Sequence, residues 1–402
     1  MPRSFELNKM ILPLEGVKVV AVEQSVSGPM CTALLSDFGA EVIKIERPRV
    51  GDVAREWDTA ARGLSSAFVG LNRNKKSLTL DIKSEKGIEI LKQLMKSADV
   101  FVHNLTPEAV SRLGLEYESV KEINPRMVYC GITGYGKDGP YSRAKAYDLL
   151  VQGEAALITL TGYPDKPAKI AISICDIAAG MYASQAILLA LMYREKTGEG
   201  QEIDISMFEA VISWYIYFQY YAWYRGETPP RAGMRHHIFC PYGPFLAADG
   251  RYVNIAVLSN DEWRRVAGEV FKRDDLLHDP RFETNEKRVQ NRGDLESMVE
   301  RIISEKDHDY WIQELQKAGI AWGRLNSLTE VFEHPQSVYR KIVTEIDSPV
   351  GKLKFLSSPM RLSKTHAKAE SIPALGAHTD EILTGMGYPK RSIQELRSKG
   401  VV

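Results

Sequence analysis

The chain has 402 residues, of which 44% are hydrophobic and 26% charged, a mixture typical of globular proteins large enough for two domains. Lys and Arg total 52, as do Asp and Glu, so the charge balance argues against nucleic-acid or membrane-surface binding. None of the cysteines forms a C-x-x-C pair, so we expect no disulfide framework, no metal site and a reducing cytoplasm. The cysteines are Cys31, Cys130, Cys175 and Cys240.

The N-terminal segment Met1 to Leu12 carries three charges and no signal-peptide apolar core, which favours a cytoplasmic location. After it, short β-branched runs alternate with segments of helix length. This alternation predicts βαβ units and a parallel sheet, with ligands beyond the carboxyl ends of its strands. We predict strands at 17–22, 41–46, 78–82, 100–103 and 127–132. We predict helices at 29–38, ended by Gly39, and at 87–97.

The longest apolar stretch, Ile177 to Tyr193, contains polar residues and is short for a membrane span, so we interpret it as a buried helix. The stretch Ile212 to Tyr224 is rich in aromatic residues. It predicts a helix packed against a partner surface, because large aromatic patches usually mark interfaces. The patterns at 253–257, 261–270 and 292–304 predict a smaller α+β region.

The turn after the first predicted strand reads Ser25-Val26-Ser27-Gly28-Pro29, so it lacks the G-x-G-x-x-G pattern of dinucleotide-binding proteins. Glu46 does end the second strand, where an NAD enzyme places its ribose-binding acid. Arg47 and Arg49 follow it and favour a phosphate-bearing ligand. Lys75, Lys76 and Lys83 surround the third strand, and they either add to this basic site or are solvated charges at a sheet edge. An NAD-binding protein therefore stays an alternative.

Asp176 follows the apolar run 170–175 and precedes the helix-forming run from Ile177, which predicts that it is an N-cap. The helix dipole and backbone N–H groups would favour its ionised form. An ionised carboxylate among apolar neighbours can act as a nucleophile, and the alternative is a structural cap.

Tyr147-Asp148 follows a glycine-rich loop, where polar residues are often functional, although Asp148 could also be a helix cap. His236-His237 lies in a turn-rich segment without further residues at metal-ligand spacing.

Five motifs follow one another in order, nearly from end to end of the chain. They are Pro13–Val19 (PLEGVKV), Phe38–Pro48 (FGAEVIKIERP), Leu71–Ser77 (LNRNKKS), Arg194–Gln201 (REKTGEGQ) and Leu375–Leu383 (LGAHTDEIL). In these motifs the chain resembles the family III CoA-transferases, which include formyl-CoA transferase, carnitine CoA-transferase and α-methylacyl-CoA racemases.

The resemblance implies that Asp176 is the nucleophile and that Asp148 lies beside the thioester. Asp176 would attack the donor acyl-CoA to give a mixed anhydride, and CoA would then form an aspartyl-CoA thioester. Coenzyme A is a substrate, and no further cofactor is implied. The CoA contacts implied by the resemblance are Val26, Ser27, Arg47, Leu80, Lys83, Asn104, Leu105, Arg112, Lys145 and Tyr147.

The resemblance also implies an α/β fold: a large Rossmann-like domain with a parallel sheet, a smaller α+β domain and an interlocked homodimer. We assign residues 1–220 and 340–402 to the large CoA-binding domain and 240–325 to the small domain. Residues 221–239 and 326–339 would be linkers.

The racemase branch of the family uses a histidine and a glutamate where this chain has Tyr147 and Asn260, and neither can relay an α-proton at neutral pH. We therefore favour a transferase over a racemase or an inactive CoA-binding protein. The chain also lacks the glycine run of formyl-CoA transferases. Arg235, His236 and His237 could instead hold a second carboxylate, which predicts a C4–C5 dicarboxylate such as succinate, malate, mesaconate or itaconate.

Overall fold

The computed structural model describes residues 11–402, so residues 1–10 of the segment expected to lack a signal peptide lie outside it. The strands are β1 (Lys18–Val22), β2 (Glu41–Glu46), β3 (Lys76–Thr79), β4 (Val100–His103), β5 (Val128–Thr133), β6 (Gly162–Tyr163), β7 (Lys166–Pro167), β8 (Glu202–Ser206), β9 (Tyr242–Leu246), β10 (Tyr252–Ala256), β11 (Trp322–Arg324), β12 (Val343–Ile346) and β13 (Leu353–Leu356).

The α-helices are α1 (Ser27–Asp37), α2 (Ser66–Leu71), α3 (Glu85–Met95), α4 (Pro107–Leu113), α5 (Tyr117–Ile123), α6 (Asp148–Glu154), α7 (Leu157–Leu160), α8 (Ile174–Thr197), α9 (Met207–Ile212), α10 (Phe218–Arg225), α11 (Asn260–Arg265), α12 (Asp274–Leu277), α13 (Asn285–Gln290), α14 (Arg292–Ile303), α15 (His308–Lys317), α16 (Leu328–Glu333), α17 (Pro335–Tyr339), α18 (Thr379–Gly385) and α19 (Lys390–Ser398). Short 3₁₀ or π turns lie at Val53–Glu56, Ser213–Tyr215 and Val266–Val270.

Six strands form one parallel sheet in the order β3-β2-β1-β4-β5-β8. The predicted α/β fold class is confirmed. The predicted strands at 41–46 and 100–103 agree with β2 and β4, whereas β3 begins two residues before the predicted strand. The strand order reverses between β1 and β4, and in such sheets ligands bind at this reversal, beyond the carboxyl ends of the strands.

Helix α8 packs against α1 and against strands β5 and β8 of the sheet. Its Arg194, within the R-E-K-T-G motif, donates a 3.0 Å hydrogen bond to Asp99 at the start of β4. Within residues 11–402, α8 is the single helix that length and composition would allow to cross a membrane, and half of its apolar window is buried. The motif therefore anchors the far end of the helix that begins near Asp176.

The chain divides into two compact units. The first comprises the described residues up to Ala155 together with 171–215 and 335–402, and it contains the six-stranded sheet. The second comprises 156–170 and 216–334, and its antiparallel sheet β11-β10-β9 shares an apolar core with the helices around it. Residues 156–170 thus pack with the second unit, although we assigned them to the large domain. The domain boundaries themselves stay a prediction.

The aromatic stretch from Ile212 to Tyr224 is not the single helix that we predicted. Helix α9 ends at Ile212, a 3₁₀ turn follows, and α10 begins at Phe218. Ile216 between them has a φ of 41°, a left-handed conformation that a β-branched residue rarely adopts and that ends a right-handed helix.

Candidate active site

Asp176 lies in the first turn of α8, two residues after the helix begins at Ile174. It is therefore not the N-cap of this helix, as we predicted, because the N-cap is Ser173. Its carboxylate accepts hydrogen bonds from the backbone N–H and the hydroxyl of Ser27, the first residue of α1. The N-cap of α1, Val26, has no side-chain acceptor of its own. Asp176 thus lies on α8 but accepts hydrogen bonds from donor groups at the start of α1.

A glycine allows α8 to approach α1 at this point. A Cβ atom at Gly180, one turn after Asp176, would lie 2.7 Å from the backbone oxygen of Ser27 and 2.7 Å from the Cβ of Met30. No real Cβ atom tolerates such distances, so a larger residue would separate the two helices. Gly180 therefore permits the contact between Asp176 and Ser27.

Asp148 performs, from a neighbouring helix, the capping role that we predicted for Asp176. It is the first residue of α6, and its Oδ1 accepts a 2.8 Å hydrogen bond from the backbone N–H of Cys175 in the first turn of α8. Its Oδ2 accepts a 2.7 Å hydrogen bond from the amide of Gln152. Two aspartates from different helices are thereby held at the start of α8.

Burial is the largest influence on Asp176, and it raises the pKa of this carboxyl to about 7. The negative charge of Asp148 raises the pKa further, whereas the two hydrogen bonds from Ser27 lower it. Our expectation that the helix start would favour the ionised form of Asp176 was therefore wrong, because burial outweighs the favourable hydrogen bonds. Near neutral pH the side chain can change between its acid and its carboxylate form.

A cavity of about 670 Å³ opens at the carboxyl ends of β1, β2 and β3 in the first unit. Five of the predicted CoA contacts line it: Arg47, Leu80, Lys83, Leu105 and Arg112. Arg49, which we expected to favour a phosphate, lines it as well. The lining also includes Ser398, Lys399 and Gly400, which nothing in the sequence connected with this site.

The other predicted CoA contacts lie outside that cavity. Val26, Ser27 and Asn104 lie where the strand order reverses, and Asn104 donates a 2.8 Å hydrogen bond to the backbone oxygen of Gln24 and a 3.4 Å one to Ser27. Lys145 and Tyr147 lie before α6, where the side chain of Tyr147 is 72% exposed. The predicted CoA contacts therefore fall into three groups: those that line the cavity, those that follow β1 and β4, and those in the exposed loop before α6.

Two lysines assigned to a basic site do not face the cavity. The buried Nζ of Lys75 donates a 2.8 Å hydrogen bond to Glu23, and the Nζ of Lys76 donates to Glu41 and Glu381. Lys75 is buried, so it is neither a cavity residue nor a solvated charge, whereas the partly exposed Lys76 lies on the edge strand β3, as the alternative of charges at a sheet edge predicted. Lys83 is the lysine of the set that lines the cavity.

Glu46, the possible ribose-binding acid, is occupied within the protein. Its two carboxylate oxygens accept hydrogen bonds of 2.7–2.8 Å from Arg55, and Ser77 and the backbone N–H of Asp52 also donate to it. Arg55 and the other donors hold the pKa of Glu46 below its ordinary value despite burial. A ribose would have to displace these partners, so the structure does not support the NAD-binding alternative.

In the second unit, Arg235 is held by acidic and aromatic neighbours. Its guanidinium lies 3.4 Å from Glu296 and 3.0 Å from Glu300, and it stacks 4.1 Å from the ring centroid of Phe245. It also donates to the backbone oxygen of Pro244. These contacts favour a structural role for Arg235, since a substrate carboxylate would compete with two glutamates.

The rings of His236 and His237 stack at a centroid distance of 5.2 Å. Burial lowers the pKa of each, and the nearby Arg292 adds to this effect. Both rings are therefore neutral at pH 7, so they would bind a carboxylate as hydrogen-bond donors rather than as cations. Their role in substrate binding stays a prediction.

Comparison with known proteins identifies the family. Residues 14–379 match the family CoA-transferase family III. The human succinyl-CoA:glutarate CoA-transferase is 35% identical over 98% of this chain and 90% of its own. The formyl-CoA:oxalate CoA-transferase of Streptomyces coelicolor is 32% identical over 97% of this chain and 99% of its own.

A crystal structure of a CAIB/BAIF family protein from Brucella suis superposes with a TM-score of 0.82 at 35% identity, covering 93% of this chain and 99% of that protein. The sequence match and this structural match both extend over nearly the whole chain. The chain therefore belongs to CoA-transferase family III, and it is a CoA-transferase.

Proposed function

We propose that this enzyme moves CoA between carboxylic acids through covalent intermediates on Asp176. The observation that carries the proposal is the position of Asp176: a buried carboxylate, bonded to Ser27 and placed beside Asp148, with a pKa of about 7. Such a carboxyl is ionised in an adequate fraction at neutral pH, and its basicity makes it a stronger nucleophile than an ordinary aspartate.

The reaction begins when an Oδ atom of Asp176 attacks the acyl carbonyl of the donor thioester. The thioester C–S bond breaks, CoA leaves as the thiolate, and a mixed anhydride forms. The thiolate then attacks the aspartyl carbonyl, the donor acid leaves as its carboxylate, and an aspartyl-CoA thioester remains. The acceptor carboxylate repeats these steps in reverse order, which yields the new acyl-CoA and restores the carboxylate of Asp176.

Ser27 has two successive roles in this scheme. Its N–H and hydroxyl first orient the attacking carboxylate. When the thiolate adds to the aspartyl carbonyl, negative charge develops on an oxygen of the same group, and the same donors stabilise it. Asp148 acts beside the thioester, where its charge maintains the basicity of Asp176.

Coenzyme A occupies the cavity at the carboxyl ends of β1–β3. Arg47, Lys83 and Arg112 supply positive charge for its phosphates, and Leu80 and Leu105 supply apolar surface. Val26, Ser27 and Asn104 lie along the way to the nucleophile, and Lys145 and Tyr147 cover the approach from the loop before α6. Support comes from the reversal of strand order at this edge, where such sheets bind ligands.

The acyl group is that of a C4–C5 dicarboxylate. The human relative is named for succinyl-CoA and glutarate, which supports this class, whereas the Streptomyces relative is named for oxalate. A panel of acceptors with succinyl-CoA as donor tests the class. We expect kcat/KM for glutarate and itaconate to exceed that for acetate and for oxalate, and faster reaction of acetate or oxalate would contradict the proposal.

The enzyme forms a homodimer through the outer face of α8. This face exposes apolar side chains, and exposed apolar patches mark protein interfaces. They are Met181, Leu188, Leu189 and Met192. Sedimentation of the purified protein at several concentrations tests the proposal, and a monomer at micromolar concentration would contradict it.

The covalent steps are tested by trapping. Hydroxylamine converts an aspartyl thioester or anhydride to an aspartyl hydroxamate, which peptide mass spectrometry locates. We expect the hydroxamate on Asp176 when enzyme, acyl-CoA and hydroxylamine are mixed, and on no peptide without acyl-CoA. If Asp176→Ala and the wild type transfer CoA at similar rates, the proposal fails.

A further inference from the structure

Six charged side chains, three acidic and three basic, lie next to the cavity and the turn after β1, where ion pairs and one backbone hydrogen bond join them into an ion network. They are Glu23, Lys44, Glu46, Asp52, Arg55 and Lys75. Lys44 and Lys75 are fully buried, and so are the side chains of Glu23 and Asp52.

Lys44 lies at the centre of the network. Its Nζ is 2.8 Å from Asp52 and 3.4 Å from Glu23, and it also donates to the backbone oxygen of Glu23. Buried ion pairs contribute little net stability, because desolvation of the charges opposes their attraction. Apolar side chains of similar size would stabilise the fold about as well. We therefore look for the role of the ion network in the backbone geometry that it holds.

The network holds the turn that leads into α1. Asp52 accepts a 3.0 Å hydrogen bond from the backbone N–H of Ser25, whose φ of 64° is unusual for a residue other than glycine. Lys75 donates a 3.0 Å hydrogen bond to the backbone oxygen of Pro29, and the hydroxyl of Thr32 donates to Glu23. Ser27, the partner of Asp176, lies between these attachment points.

The same network holds the loop after β2. The backbone N–H of Asp52 donates a 3.0 Å hydrogen bond to Glu46, which Arg55 also binds. The loop from Arg47 to Asp52 lines the cavity. Asp52 thus connects, through a single side chain and its own backbone, the loop of the cavity with the turn of Ser27.

We propose that this ion network is a positioning element for the reaction, with Asp52 as the residue that aligns the donors of Ser27 with Asp176 while it holds the cavity loop in place. The proposal rests on the proposed role of Asp176 as nucleophile. In this arrangement a damaged network moves Ser27, and Asp176 loses the hydrogen bonds that favour its carboxylate.

The ionisation of Asp176 gives a readout that overall stability does not. Its neighbours are the negative Asp148 from α6 and the neutral Ser27 from α1, within a buried site. Since burial and Asp148 both favour the protonated form, displacement of Ser27 favours that form further. Adduct formation would then reach a given rate only at a higher pH.

The test is the variant Asp52→Asn, which can still accept the N–H of Ser25 but no longer carries a charge for Lys44. We measure the rate of Asp176 hydroxamate formation from acyl-CoA between pH 5.5 and pH 9. We expect the acidic limb to move up by about half a unit, which lowers the rate on that limb about threefold. A limb that coincides with that of the wild type would overturn the proposal.

Two control variants separate positioning from stability. Ile90→Val removes one methylene from the apolar core of the same unit, and Lys76→Met removes two partly exposed ion pairs next to Lys75. Both should keep the wild-type limb, even where the melting temperature falls. A shift in Ile90→Val of equal size would assign the effect of Asp52→Asn to general destabilisation and overturn the proposal.

If Asp52→Asn does not fold, Thr32→Val provides the test, because it removes only the hydroxyl that Glu23 accepts. We expect a smaller shift in the same direction, and an unmoved limb in this folded variant would overturn the proposal. The two hypotheses fail on different results. If the wild type yields no hydroxamate on Asp176, the proposed function fails. If the wild type yields it and the acidic limbs of variant and wild type coincide, only the positioning proposal fails.

Discussion

The carboxylate of Asp148 accepts the backbone N–H of Cys175 at 2.8 Å, one residue before Asp176, so the cap of α8 is also the closest negative neighbour of the proposed nucleophile. Asp148 therefore both caps α8 and raises the pKa of Asp176 through its charge. Asparagine in its place could still accept the N–H of Cys175 but would carry no charge.

We predict that Asp148→Asn lowers the pKa of Asp176, because the repulsion between two carboxylates is removed. The acidic limb of kcat/KM for acyl-CoA should move to lower pH by roughly one unit. The control Asp148→Ala also loses the cap, so its free energy of unfolding should fall by about 1 kcal/mol more than that of Asp148→Asn. An acidic limb that moves to higher pH in Asp148→Asn would contradict the prediction.

The stability of the protein should depend on Asp176 in a defined direction. Its pKa is about 7 in the folded protein and 3.8 in the reference state, so the folded chain binds more protons between these values, and Asp176 lowers stability as pH rises through that window. Above pH 7 the full penalty, a few kcal/mol, is present. Asp176→Asn should therefore melt at a higher temperature than the wild type at pH 8, and the difference should vanish towards pH 4. Equal differences at both pH values would refute this assignment.

Removal of positive charge from the cavity should weaken CoA binding. We expect Arg47→Met and Lys83→Met each to raise KM for acyl-CoA about tenfold or more, because hydrogen bonds to charged groups contribute about 1.5–3 kcal/mol. The chemical step should change little. The matched control is Lys86→Met, which removes an exposed pair with Glu89 outside the cavity lining. If that control raises KM as much as Lys83→Met does, the cavity is not the CoA site.

A methyl group at Gly180 should separate α8 from α1. The added Cβ would meet the backbone of Ser27, so we expect Gly180→Ala to lose about 1–3 kcal/mol of stability and most of its activity. The control Gly293→Ala places the same methyl group on α14, where nothing lies within 4 Å, and it should be neutral or slightly stabilising. Kinetics and thermal unfolding of both variants check the prediction, and a fully active Gly180→Ala would contradict it.

Local patterns were sufficient for much of the sheet. The β-branched runs at 41–46 and 100–103 form strands with those bounds because a parallel sheet buries both faces of its strands. The local pattern also singled out Asp176, but it left a structural cap as the alternative, and the family resemblance implied the role of nucleophile. Its partner was not recognisable, because the residues that surround a helix start in three dimensions come from distant parts of the chain. Asp176 caps the first turn of α1, and Asp148 caps that of α8.

The same limit explains the errors about charge. Lys75 and Lys83 look alike in the sequence, yet one is buried against Glu23 and the other lines the cavity. The ion network around Lys44 left no sequence signal at all, because its members are spread over 53 residues and meet only when β1, β2 and the approach to β3 are in place. The contribution of 398–400 to the cavity was hidden for the same reason.

The cavity is lined by residues between Val22 and Leu113 and by Ser398 to Gly400, which are far apart in the sequence. The backbone N–H of Asp81 donates to the carbonyl of Val401, so this late segment is tied to the loop after β3. During synthesis the cavity therefore cannot be completed until residues 398–400 have been made, and contacts between such distant parts of a chain slow folding. If CoA binds in this cavity as proposed, a nascent chain that stops short of residue 398 would gain little stabilisation from CoA, since a ligand stabilises only the form that binds it.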